Sequence, residues 1–338
     1  MFYPVIVGAG LATVALSTVI ATKSGCLEKR QIEKRDPTKL FFHKGSFCRK
    51  GTLTAEVIEL LKLDGLYDPK DTLEQVLAKT DKRWRKVAAG TNSIERRDLK
   101  DDSKQLLSAE KVIAIAKKLG LFDTRKPALQ NYDYCTILGA FKDTMQERIK
   151  VAADAWESGV RFKQIVFLTG ERRLRNMPGE DESVEKLYEP PKRGLPLKRD
   201  FRPIVYKYVT EYDMAQFIWE QARLPKSMRE AIDNRTLTVT FVNALKGTKE
   251  RPTTQDTCQE WLEKNPRAGS VLAVSTPPFW SYQHLVIQNA LGPKFLVDTI
   301  SPQMDAQQTD NKVSLIHDTV HKCLYEIAQA QQQTKKAQ

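Results

Sequence analysis

Residues 132–170 read YDYCTILGAFKDTMQERIKVAADAWESGVRFKQIVFLTG, and their pattern decides the fold. The two ends, YDYCTIL (132–138) and FKQIVFLTG (162–170), are short apolar runs rich in β-branched and aromatic residues, each closed by a Gly turn. Between them KDTMQERIKVAADAWESG (142–159) spaces its apolar residues three and four apart, the pattern of an amphipathic helix. A helix joining two nearly continuous apolar strands returns the chain to the edge where it began. The strands are therefore expected to be parallel, in a sheet covered on both faces.

Working outward, the same alternation repeats. Strands are predicted at TLTVTFVNA (236–244), SVLAVST (270–276) and KFLVDTI (294–300). Helices are predicted at EYDMAQFIWEQARL (211–224), TTQDTCQEWLEK (253–264), PFWSYQHLVIQNAL (278–291) and about 311–332, with a disordered tail at 333–338. The expected class is α/β: a Rossmann-like, doubly wound, mostly parallel sheet of about five strands, over residues 127–332. A Pro-rich insertion at 172–209 delays the third strand. Its segment PPKRGLPLKRDFRP carries Lys192, Arg193, Lys198, Arg199 and Arg202, and two readings stand for it: a mobile lid over a strand-end cleft, or a solvated insert.

Before the sheet, residues 52–126 carry helical spacing in TLTAEVIELLKLDGLYD, DTLEQVLAKTDKRWRKVAAG and SAEKVIAIAKKLGLF. Asp71 with Glu74 resembles a capping box, and Ser108 is an N-cap candidate. Trp84 among Lys82, Arg83, Arg85 and Lys86 reads as a packed Trp on a charged helix sooner than as a nucleic-acid patch.

The first 22 residues carry no charge, and PVIVGAGLATVALSTVIAT (4–22) is long enough to cross a hydrocarbon layer of ~30 Å. Residues 23–51 follow with nine Lys/Arg against three acids, half of the chain's net +12. This pairing predicts a transmembrane anchor at 1–22 and a basic juxtamembrane linker at 23–51, attracted to anionic membrane lipid. The positive-inside rule then makes a single-pass membrane protein with its soluble domain in the cytoplasm. A cleaved signal peptide, leaving the domain extracytoplasmic or secreted, is the competing expectation, but MFYP supplies no basic n-region. The charge is thus explained without nucleic acid, which is not favoured as a partner. With 41% hydrophobic and 28% charged residues, wholesale disorder and a polytopic membrane protein are both excluded. Five scattered Cys without a CxxC write neither a disulfide framework nor a zinc site, and no metal is expected.

Ligands of such sheets bind beyond the carboxyl ends of the strands, so the residues there are the candidates. Gly139, Asp143 and Arg148 follow the first strand, and Gly170, Glu171 and Arg172 the second. Asn243 ends the third, Thr257 opens the helix after it, and Ser275 and Thr276 follow the fourth. The glycines offer backbone donors to an anion, or serve packing; Arg148 and Arg172 could grip a phosphate or carboxylate. Glu211 and Asp256 are the candidate general bases or acceptors of a ribose hydroxyl, with helix capping the other role open to Asp256. His284 reads as a packed histidine. His317 and His321, four apart beside Asp318, lack the HExxH pattern and read as an exposed pair.

The order of elements resembles the YdcF/SanA/ElyC-like domain family over about 132–300. The residues that carry the likeness are Leu138-Gly139, Arg148, Thr169-Gly170, Glu211, Asp256-Thr257 and Val274-Ser275-Thr276. The chain departs from the family's pattern at Gln259 and Glu260, and in the PPFWSYQ loop, which lacks the family's His and Arg. The resemblance implies a Rossmann-like domain linked to envelope biogenesis, with S-adenosylmethionine as a ligand of one branch. Two functional expectations result. One is a membrane-tethered domain binding an anionic or nucleotide-like small molecule in the strand-end cleft; the other is a non-catalytic scaffold engaging a protein partner at a membrane surface.

Overall fold

A computed structural model describes residues 47–49, 52–85, 103–175, 182–201, 210–249, 251–303 and 313–337. Lys44–Gln338 form one compact unit. A minimal antiparallel hairpin, β1 (Cys48–Arg49) with β2 (Thr52–Leu53), precedes three helices: α1 (Ala55–Leu63), α2 (Leu73–Trp84) and α3 (Ser103–Lys118). Then come β3 (Asn131–Leu138), α4 (Lys142–Glu157), β4 (Arg161–Gly170), α5 (Val184–Leu187), α6 (Glu211–Gln221) and α7 (Lys226–Asp233). The chain closes with β5 (Thr238–Ala244), α8 (Thr254–Glu263), β6 (Gly269–Val274), α9 (Trp280–Leu291), β7 (Phe295–Ile300) and α10 (Val313–Ala337).

The five long strands pair in the order β5-β4-β3-β6-β7, all parallel. The first strand of the sheet lies in its middle; the chain winds outward through β4 to β5, then crosses to the other side for β6 and β7. This is the doubly wound arrangement, and its switch point falls between β3 and β6. Register fixes which residues emerge together. Leu138 lies beside Leu168, Gly170 beside Ala244, and Val274 beside both Ile137 and Ile300, so Gly139, Glu171, Leu245, Ser275 and Ser301 all leave the sheet at one edge.

Alternation along β4 supplies both cores. Ile165 and Phe167 face Met145, Ile149, Met214 and Phe217 of α4 and α6, while Val166 and Leu168 face Cys258, Trp261 and Ile287 of α8 and α9. A third core joins α1, α2 and α3 to α10 around Trp84, Leu60, Ile115 and Leu324.

Several local features differ from expectation. Helix α2 is capped one residue later than Asp71: Thr72 accepts from the Gln75 N–H and Gln75 accepts from the Thr72 N–H, while the Asp71 carboxylate is held by Lys79 at 2.5 Å. Ser108 lies inside α3, donating to the Gln105 carbonyl. Helix α10 extends past 332 to Ala337, through Gln, Lys and Ala, which are good helix formers. The insertion between β4 and α6 is anchored over 190–201. Leu195 and Phe201 pack on the α4/α6 core, the Lys198 N–H donates to the Gln221 carbonyl, and the Arg223 N–H donates to the Pro196 carbonyl. Leu195, Leu197 and Phe201 of this strap are partly buried while Lys192, Arg193, Lys198 and Arg199 face solvent. Arg202, the anchor predicted at 1–22 and nearly all of the predicted basic linker lie outside the described residues; among those described, no helix is long and apolar enough to cross a membrane.

Candidate functional site

At the switch point the chain fills its own crevice. Arg148, on the second turn of α4 and 2% exposed, reaches back under the strand ends. Its Nη1 donates to the carbonyls of Leu138 (2.9 Å) and Gly139 (3.0 Å), and its Nη2 to Thr276 Oγ1 (3.2 Å) and Gln283 Oε1 (3.0 Å). Ser275 also donates to Gln283 Oε1, at 2.5 Å. Carbonyl oxygens at the carboxyl ends of parallel strands concentrate partial negative charge, and a guanidinium with its fan of donors satisfies several at once. Arg148, Ser275 and Thr276 thus form one buried network with Gln283, a helix residue that sequence spacing gave no reason to single out.

One strand over, a second constellation forms around Glu211. The Thr210 hydroxyl accepts from the Asp213 N–H in a capping box that starts α6, and the Glu211 N–H donates to the Arg172 carbonyl. This start lays the Glu211 carboxyl on Gly139: a Cβ at position 139 would stand 2.5 Å from Glu211 Oε1. The missing Cβ at Gly139 thus leaves room for the Glu211 carboxyl, which any larger residue would push aside. Arg172 forks onto Glu182 through Nη2–Oε1 (2.6 Å) and Nη1–Oε2 (3.1 Å), donates to the Ala140 carbonyl (3.1 Å), and lies on the Phe141 ring (4.8 Å). Its Nε is 3.8 Å from Glu211 Oε1.

The electrostatics follow from this sharing. Arg172 spends its bidentate face on Glu182, whose side chain is wholly buried, and only a longer contact remains for Glu211, whose side chain is 12% exposed. Burial pushes the Glu211 carboxyl up to about 7, against the pull of Arg172, Arg251 and Arg148 and with an added upward push from Glu182. A carboxyl titrating near neutrality can donate or accept a proton under physiological conditions. Sequence reasoning found Glu211 and Arg172 but missed Glu182, which lies in the insertion with no periodicity to mark it. The one available signal was that a buried arginine needs a carboxylate.

The remaining strand-end residues are placed apart from this cluster. Gly170 is a packing glycine, since a Cβ there would meet the Ala244 carbonyl and Pro252 at 2.7 Å. Glu171 ties the β4 and β5 ends together by accepting from the Lys246 N–H (3.1 Å). Asn243 pairs in register with Thr169, and its buried Oδ1 has no hydrogen-bond partner. Asp143 is half exposed beside Lys142. Asp256 accepts from the Thr253 N–H and hydroxyl and from Lys249 (2.7 Å), and Thr257 donates to the Thr254 carbonyl. Burial pushes the Asp256 carboxyl up, but Lys249 and the Thr253 donors together hold it below its ordinary value. Both residues therefore serve the start of α8. Asp256→Ala is expected to lower stability by about 1 kcal/mol in a thermal melt while leaving the Glu211 titration unchanged.

His284, His317 and His321 are packing groups. His284 Nδ1 lies 3.0 Å from Thr299 Oγ1, and burial, with the charge of Arg125, pushes it down to about 4. His317 and His321 are buried, not exposed: His317 stacks on Trp84 (4.7 Å between ring centres), which donates to Asp64, and His321 Nδ1 lies 2.9 Å from Thr80 Oγ1. Among the described residues no group of three or more His, Cys, Asp or Glu is placed to hold a metal ion. Compared with known proteins, the chain matches no family model, no curated protein and no solved structure.

Proposed function

We propose that the strand-end edge around Glu211 binds a small anionic molecule, nucleotide-like in carrying a phosphate or carboxylate, with Glu211 as the proton-carrying group. The resemblance to YdcF-like domains adds S-adenosylmethionine as a candidate through its carboxylate, a role in envelope biogenesis, and tethering to a membrane by residues 4–22. The observation that supports the reading best is a neutral-range carboxyl set among cations. Three guanidiniums, Arg148, Arg172 and Arg251, act on Glu211 against the single carboxylate of Glu182. An entering anion is attracted by that excess and further favours the protonated form of Glu211. Binding should therefore take up a proton and weaken as pH rises through about 7.

Calorimetric titration of the full chain at pH 7 tests this, with phosphate, adenosine monophosphate and S-adenosylmethionine as probes in two buffers of different ionisation heat. Expected is binding of at least one probe with uptake of up to about half a proton, since Glu211 is already about half protonated at this pH, and loss of that uptake in Glu211→Gln. The second reading, a non-catalytic scaffold, is favoured by the commitment of Arg148 to carbonyl oxygens, which closes the switch-point crevice with the chain itself. It predicts no heat with any probe.

A further inference from the structure

Away from the strand ends, the groove between α4 and α6 is roofed by the strap at 191–197. Its walls are Ile149, Leu195, Leu197, Ile218 and Ala222, with Gln146 of α4 and Gln221 of α6 as the polar groups. Gln146 is 3% exposed and Gln221 1% exposed. Gln221 Nε2 donates to the Leu187 carbonyl (3.2 Å), which orients its amide, but its Oε1 has no partner. Gln146 has none for either Oε1 or Nε2. The two glutamines that line this small cavity thus carry three unpartnered amide atoms, although buried polar atoms are almost always paired. Leu or Met would fill an apolar groove at lower desolvation cost, so two glutamines here call for a polar occupant.

We propose that Gln146 and Gln221 form a binding site for one water molecule, which joins α4 and α6 beneath the strap. The donor count selects the occupant. Two carbonyl oxygens need donors and the Gln146 NH2 needs an acceptor, and one water can donate twice and still accept from that NH2. An anion would face two carbonyl oxygens, and a cation would face the Gln146 amide donor. The cavity admits little more than one water-sized group, and water held by three polar partners is a normal buried constituent. The strap is shaped to close over the site: Gly194 lies so close that a Cβ there would stand 2.9 Å from Gln146 Cβ.

A crystal structure of the full chain tests the site directly. Expected is a single density peak about 2.7–3.2 Å from at least two of the three amide atoms. A direct Gln146–Gln221 hydrogen bond with no peak, or Gln146 swung into solvent, overturns the proposal. Crystals grown with methanol separate the two sources of a hydroxyl, since an alcohol replacing the peak overturns the assignment to water in favour of a small hydroxyl ligand. In solution, Gln146→Met and Gln221→Met should each lower the melting temperature, and the double variant should lose less than the sum, because the second change removes atoms that the first has already orphaned. Additive shifts count against a shared occupant.

Discussion

Arg148→Ala is expected to destabilise the folded chain by about 3–5 kcal/mol, a large share of a typical domain's stability, before any effect on a ligand is felt. The guanidinium is buried and donates to two strand-end carbonyls, to Thr276 and to Gln283. Truncation leaves these acceptors in a dry crevice without donors, and orphaned buried acceptors cost far more than the net worth of the bonds themselves. It also opens a cavity beneath the switch point, where the surrounding strands can collapse only partly. Ser275, which donates to the same Gln283 oxygen, loses a neighbour that helps hold Gln283 in place. Arg148→Lys should recover only part of the loss, because one ammonium cannot span the set that the planar fork reaches. Urea unfolding of the two variants measures this. A loss below about 1 kcal/mol for Arg148→Ala would show that the network is replaceable by solvent, and would return Arg148 to the list of groups free to meet a ligand.

Arg148 also shows how far the sequence could be read. The β3-α4-β4 unit was legible because its periodicity switches cleanly from strand to helix and back, and the other three strands followed the same rule. Helix α7 was not, since its stripe of Met228, Ala231 and Ile232 lies on a helix of only eight residues, too few to establish a helical period. At the site, spacing marked the strand ends but not their occupants. An arginine a turn and a half into a helix after a strand can point outward to an anion or backward under the strand carbonyls, and the two conformations leave the same trace in sequence. Gly139 has the same ambiguity: the missing Cβ makes room for whatever approaches, and only the start of α6, set by the Thr210 cap after an aperiodic insertion, puts Glu211 there. Glu182 was illegible for the same reason, because its pairing with Arg172 depends on the path of that insertion. Asp71 and Thr72 are both competent caps; Thr72 forms the box with Gln75 while Asp71 pairs with Lys79.

The pH dependence of stability is the sharpest consequence of that placement. Glu211 titrates at about 7 in the fold, whereas an unfolded Glu titrates near its ordinary value of 4.5. Between those two values the native state keeps a proton that the unfolded chain has released, so stability falls as pH rises through this window. Below pH 4.5 the group contributes no penalty. Above about 7 the folded protein must hold a buried, ionised carboxylate, at a penalty of about 3 kcal/mol for a displacement of that size. Glu211→Gln removes the titration while keeping the shape. The variant should therefore match the wild type near pH 4.5 and become progressively more stable than it up to about pH 8, as read from urea unfolding at a series of pH values. Asp133 and Asp256, held below their ordinary values, impose pH slopes of their own, but these are common to both proteins and cancel in the difference. Phosphate should shrink the gap at pH 7 only if it binds beside Glu211 and restores the proton. Parallel pH profiles for the two proteins would mean that Arg172 serves Glu211 as well as Glu182, leaving the carboxylate ionised and stripping the edge of its proton carrier.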